Sequence, residues 1–147
     1  MKLALKYGLL VTAGIIAWVV IAHLLVPDPC APLHKVGPIV FFNLLQAGGI
    51  YFGIRDKKRG AVGRLQFKAG LKTGVGIAFV YGISSCLFFL VMFIAFASRI
   101  MCVPSNPTPI PFWQVAGPAF LGLFGSALLV GLIYSTIIAF FLARREA

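Results

Sequence analysis

Few side chains in this chain of 147 residues could bind a metal or haem, or act in catalysis. His23 lies near the end of the first apolar stretch and His34 lies in the segment after it. A bis-histidine haem needs both ligands inside a bundle, on facing helices, and this spacing does not predict that arrangement. No pair of Cys or His residues has the spacing of a metal site either. The sequence therefore predicts no metal, no cofactor and no catalytic residue.

The positions of the acidic residues count against one class of membrane protein, the ion-coupled carriers. Asp28, Asp56 and Glu146 are the three acids, and all lie in connecting segments or at the carboxyl end. Carriers coupled to protons or sodium generally need an ionisable group inside the membrane. Two other classes stay open. One is an oligomeric passive channel or small-solute carrier, because carbonyls and small polar groups can line a pore. The other is a lipid-acting membrane enzyme that would use His23, His34 and Asp28 at the interface.

Four long apolar stretches must position all of these residues. They cover residues 3–26, 38–54, 73–98 and 112–143, and most of the charged residues lie between or around them. A helix needs about 20 apolar residues to cross a bilayer. The pattern predicts an all-α, polytopic integral membrane protein, a four-helix transmembrane bundle that forms a single domain over residues 1–147.

Lys and Arg predict the orientation of the spans, since they collect on the cytoplasmic side. Two precede the first span, seven lie between the second and third, and two follow the fourth, so eleven of the thirteen mark one side. Both termini are therefore predicted in the cytoplasm, in a bacterial inner membrane. The net charge of +10 is what this topology demands, and nucleic acid is not predicted as a partner.

Small and polar residues inside the spans predict where helices meet. Small side chains let helices approach closely within lipid, where burial of apolar surface drives no association. The predicted packing residues are Gly49, Gly53, Gly70, Gly74, Gly122, Ser126, Gly131 and Ser135. They can pack within one bundle, or a surplus face of the fourth helix can pack on another subunit. Asn43 and Gln46 share a face of the second helix and favour hydrogen bonds between helices over a shared polar site.

Two cysteines fall on the same predicted external side. Cys30 follows the first span and Cys102 follows the third, whereas Cys86 lies in the middle of the third span. The bacterial periplasm maintains disulfides. We predict a bond between Cys30 and Cys102 that closes the external face.

The segment between the second and third spans is strongly basic. Each basic residue near an anionic leaflet contributes about 1 kcal/mol to binding. The segment is predicted to contact anionic headgroups of membrane lipids at the cytoplasmic face, and an acidic partner is the alternative. The contact residues are Arg55, Lys57, Lys58, Arg59, Arg64, Lys68 and Lys72.

The same segment carries a family resemblance. Tyr51-Phe52-Gly53-Ile54-Arg55-Asp56, followed by Phe67-Lys68-Ala69-Gly70-Leu71-Lys72-Thr73-Gly74, resembles a four-span bacterial membrane family called domain of unknown function 4199. The resemblance implies four spans and no established activity. From the four spans and the missing catalytic signature, we predict a non-catalytic accessory or structural subunit that packs against other membrane protein subunits.

Overall fold

The fold consists of four long helices. A computed structural model describes residues 2–28, 31–61, 65–100 and 112–144; for residues 32, 35, 96–100, 112, 113, 115 and 116 it describes the backbone alone. The helices are α1 (Lys2–Leu25), α2 (Pro32–Gly60), α3 (Phe67–Ile100) and α4 (Phe112–Arg144). Each is long and apolar enough to cross a membrane, which confirms the predicted all-α fold and indicates a multi-pass membrane protein.

The helices extend beyond the predicted apolar stretches. α2 continues through the basic residues to Gly60, and α3 already begins at Phe67, so the connection between them shrinks to residues 61–66. Lys and Arg are good helix formers, so a charged sequence can prolong a helix past the apolar core of a bilayer. At its other end α2 begins at Pro32, because proline fits the first helical turn without losing a hydrogen bond.

The chain runs up and down through the bundle. Tyr7 of α1 meets Asp56 of α2, and Lys58 of α2 meets Leu142 of α4, so these four positions lie at one end. We call it the basic end. In the described part of the chain, α2 and α3 each contact all other helices, whereas α1 and α4 do not contact each other. The two middle helices therefore form the short diagonal of the bundle.

Two clusters of buried side chains form the core. The cluster nearer the basic end contains Ile50, Ile54, Leu65, Ile77 and Ala139. The second contains Val11, Ile15, Tyr81 and Ala127. Large apolar residues such as Leu24 and Leu121 remain about three-quarters exposed, at 77% and 76%. Such an apolar outer surface is suited to lipid tails.

Candidate functional site

A basic cleft opens at the basic end, beside the starts of α1 and α3. It has a volume of about 590 Å³, and its polar lining residues are Lys2, Lys57, Lys72 and Thr73. The three lysines come from three different helices, so the bundle itself holds their ammonium groups around one space. Basic pockets between membrane helices are suited to the phosphates of lipid headgroups.

The structure separates the seven predicted basic contact residues into groups. Five are exposed at the basic end: Arg55, Lys57, Arg59, Lys68 and Lys72. Lys58 is partly buried, and its Nζ donates a hydrogen bond of 3.0 Å to the carbonyl oxygen of Leu142. Lys58 thus binds the carboxyl end of α4, where a cation meets carbonyls that the helix leaves unpaired. Arg64 lies outside the described residues.

An acid holds two helices together among these basic residues. The Tyr7 hydroxyl donates a hydrogen bond to Oδ2 of Asp56, joining α1 to α2. Asp56 is flanked by Arg55, Lys57 and Lys58 in the sequence, so its carboxylate also offsets part of the local positive charge. The resemblance drew attention to Asp56 as part of a turn, but its partner on α1 could be found only from the fold.

Most of the predicted packing glycines lie where helices touch. A Cβ added to the glycine would meet Val11 at Gly49, Ile77 at Gly53, Ala139 at Gly70, Ser135 at Gly74 and Ala78 at Gly131. Ser135 itself is fully buried. Gly122 differs, because a Cβ there would meet no atom of the described residues within 4 Å, and Ser126 is exposed. The two small pairs of α4 therefore lie on opposite faces, with Gly131 and Ser135 inside and Gly122 and Ser126 outside.

Polar side chains within the spans bridge helices. Gln46 Nε2 donates to the carbonyl oxygen of Ala127 at 2.7 Å, and the Tyr134 hydroxyl donates to Asn43 Oδ1 at 3.5 Å, so both bonds join α2 to α4. Asn43, Gln46 and Ser126 also border a cleft of about 390 Å³ between these helices. For Asn43 and Gln46 the sequence left two possibilities, hydrogen bonds between helices or a shared polar site, and the hydrogen bonds are present.

The histidines lie together, contrary to the expectation from their spacing. His23 is in the last turns of α1 and His34 in the first turn of α2, and their ring centroids are 4.6 Å apart. Both border a cavity of about 140 Å³ at the end of the bundle opposite the basic end. The signal was present in the sequence, because residues at the end of one helix and the start of the next become neighbours when the turn is short. The apolar pattern hides this signal, because it places His34 in the segment between two spans and not in a helix.

The predicted disulfide between Cys30 and Cys102 lies outside the described residues and stays a prediction. Cys86 of α3 carries a free thiol, and its Sγ lies 3.9 Å from the carbonyl oxygen of Phe120 in α4.

No protein-family model, curated protein or solved structure matches this chain.

Proposed function

We propose that this protein is a non-catalytic accessory or structural subunit of a bacterial inner-membrane assembly. The observation that carries the proposal is the outer face of α4, which has the small residues of a helix contact but leaves open space at Gly122 and Gly125, where an added Cβ would meet no described atom within 4 Å. The partner is another membrane protein subunit, and its contact surface is a transmembrane helix that can approach α4 closely.

The outer face of α4 consists of Gly122, Gly125, Ser126 and Leu129, whose spacing puts them on one side of the helix. A Cβ at Gly122 or Gly125 would meet no atom within 4 Å in the part of the chain that the structure describes, and Leu129 is 66% exposed. Glycine within a helix costs about 1 kcal/mol relative to alanine. Contact with lipid alone does not offset that cost, whereas close backbone contact with a second helix stabilises the pair of helices.

The charges at the basic end determine the proposed orientation of the protein in the membrane. Its exposed Lys and Arg residues suit the cytoplasmic face, where they meet anionic headgroups and contribute about 1 kcal/mol each. In this arrangement both chain termini are cytoplasmic, and the end that holds the histidines faces the periplasm.

The hydrogen bonds between α2 and α4 argue for a structural role over a passive channel. Gln46 uses its amide on a backbone carbonyl of α4, and Asn43 accepts from Tyr134. Side chains that pair across a helix contact are not available to replace the hydration shell of a passing solute.

The proposed orientation predicts the behaviour of reporter fusions. A reporter inserted beside Gly60, which is exposed at the end of α2, is expected to be active only as a cytoplasmic enzyme. A reporter fused after Glu146 should behave in the same way, because most of the basic residues mark this side. The measurement is a paired assay with a cytoplasm-active and a periplasm-active reporter in whole cells. Activity of the periplasmic reporter at either position would contradict the orientation.

The proposed contact at the outer face of α4 is tested by placing larger side chains there. The double substitution Gly122→Leu and Gly125→Leu is expected to reduce recovery of a stoichiometric membrane protein partner by about tenfold. Inserting side chains into a close-packed contact costs about 1–3 kcal/mol, and about 1.4 kcal/mol already corresponds to tenfold. The measurement is co-purification from native membranes in mild detergent, with quantitative mass spectrometry.

Gly48→Leu is the matched control for that experiment. Gly48 is a glycine of α2 whose added Cβ would also meet no described atom within 4 Å, but it lies on a different helix. This variant should retain the partner. Equal recovery with the double variant and the wild type would contradict the proposed contact, as would purification of the wild type without any partner.

A further inference from the structure

The two histidines of the chain face one cavity at the end of the bundle opposite the basic end. His23 belongs to α1 and His34 to α2, and their imidazole planes are inclined by 54° with centroids 4.6 Å apart. The cavity has a volume of about 140 Å³, and Trp18, Phe42 and Phe89 contribute to its walls. Two imidazoles thus meet in a largely apolar pocket formed by three helices.

Backbone carbonyls determine which nitrogen of each neutral ring carries a proton. His23 Nδ1 lies 3.0 Å from the carbonyl oxygen of Val19, and His34 Nε2 lies 2.7 Å from that of Val26. A carbonyl oxygen only accepts hydrogen bonds, so both of these nitrogens donate. The lone pairs are therefore on His23 Nε2 and His34 Nδ1. Metal-binding histidines show this same pattern, with one N–H donated to a carbonyl and the other nitrogen free to ligate.

Two polar atoms at this cavity have no hydrogen-bond partner among the described residues. They are Nε2 of His23 and Nε1 of Trp18, and both are buried. The first offers a lone pair and the second an N–H group. A bound cation accepts the lone pair, and a second water, which accepts a hydrogen bond from the cation's own water ligand, also accepts the indole N–H. One hydrated ion in the cavity therefore provides a partner for each atom.

We propose that His23 and His34 bind one divalent transition-metal ion, Zn²⁺ or Cu²⁺, and that water completes its coordination. Imidazole nitrogen favours these ions over Mg²⁺ and Ca²⁺, which prefer oxygen ligands. Metal–nitrogen bonds of about 2.0–2.1 Å at a tetrahedral ion put the centroids of two imidazoles roughly 5 Å apart. The observed 4.6 Å lies close to that separation. With two protein ligands, the remaining coordination positions of the ion are open to water.

The site is tested by Zn²⁺ titration of the full chain in detergent, purified without a polyhistidine tag. The wild type is expected to bind one Zn²⁺ per chain, and His23→Gln or His34→Gln should each weaken binding by about tenfold or more. Cys30→Ser and Cys102→Ser serve as controls, because thiolates also bind Zn²⁺, and these variants should keep the wild-type affinity. Wild-type affinity in both histidine variants would overturn the proposal, as would the absence of Zn²⁺ binding by the wild type.

A measurement on the wild type alone keeps the proposal testable if the histidine variants fail to fold. Because the chain has two histidines, any imidazole coupling in the electron paramagnetic resonance spectrum of bound Cu²⁺ is assigned to them. We expect couplings from two imidazole nitrogens, which change when the protein is labelled with ¹⁵N-histidine. A Cu²⁺ spectrum without imidazole nitrogen would overturn the proposal.

Discussion

Replacing Gly131 with alanine is expected to lower the free energy of unfolding of the bundle by about 2 kcal/mol, within the range for overpacked cores. The new Cβ would overlap the Cβ of Ala78 and lie 2.8 Å from Nε2 of Gln46. Ala78 is 0% exposed and has no flexible atoms to move away. The variant must therefore separate α3 from α4 or displace the Gln46 amide from its bond to Ala127.

Gly122→Ala provides the control in the same helix. Among the described residues, none has an atom within 4 Å of a Cβ at Gly122, so this change should leave stability unchanged or raise it by up to about 1 kcal/mol. The measurement is unfolding of the purified protein in detergent micelles, followed by circular dichroism against rising denaturant. If alanine proved equally harmless at both positions, the packing of α3 against α4 would be different from the one described.

The second large effect is expected at the basic end. Tyr7→Phe should lower the free energy of unfolding by about 1.5 kcal/mol, at the lower end of the values for hydrogen bonds to charged groups because water reaches this part of the bundle. Asp56→Ala should cost a similar amount, and Asp56→Asn less, because asparagine still accepts from the Tyr7 hydroxyl.

A double-mutant cycle separates this bond from other roles of the two residues. Tyr7→Phe combined with Asp56→Ala should cost little more than either change alone, since both remove the same bond. Tyr51→Phe is the matched control, because Tyr51 is an exposed tyrosine of α2 and its change should have almost no effect. Additive losses at Tyr7 and Asp56 would show that the two side chains do not interact.

The sequence was sufficient to predict the four helices, but it did not predict which face of each helix packs against protein and which faces lipid. Apolar runs of about 20 residues mark membrane spans, whatever surrounds them. Such runs are apolar on all sides, so periodicity does not distinguish a face toward lipid from one toward protein. Gly122 and Gly131 therefore looked equivalent, although Gly131 faces the core and Gly122 does not.

The helix ends explain why the histidine pair was missed. Counting apolar residues starts the second span at Pro38, whereas α2 begins six residues earlier at Pro32. Because α2 includes these six residues, His34 lies in its first helical turn and not in a loop. This position is beside the last turns of α1. Polar residues next to a span can extend a helix without adding to its apolar signal, so the apolar count locates the membrane core better than the helix end.

The bond from Gln46 to Ala127 has a consequence for how the protein is made. Gln46 is 3% exposed, and its hydrogen-bond acceptor is synthesised 81 residues later. A ribosome thus delivers α2, the least hydropathic of the four spans, before its partner helix exists. Until α4 arrives, the amide must bond to lipid headgroups, to water or to the insertion machinery. Completion of this protein in the membrane is therefore tied to the last helix to leave the ribosome.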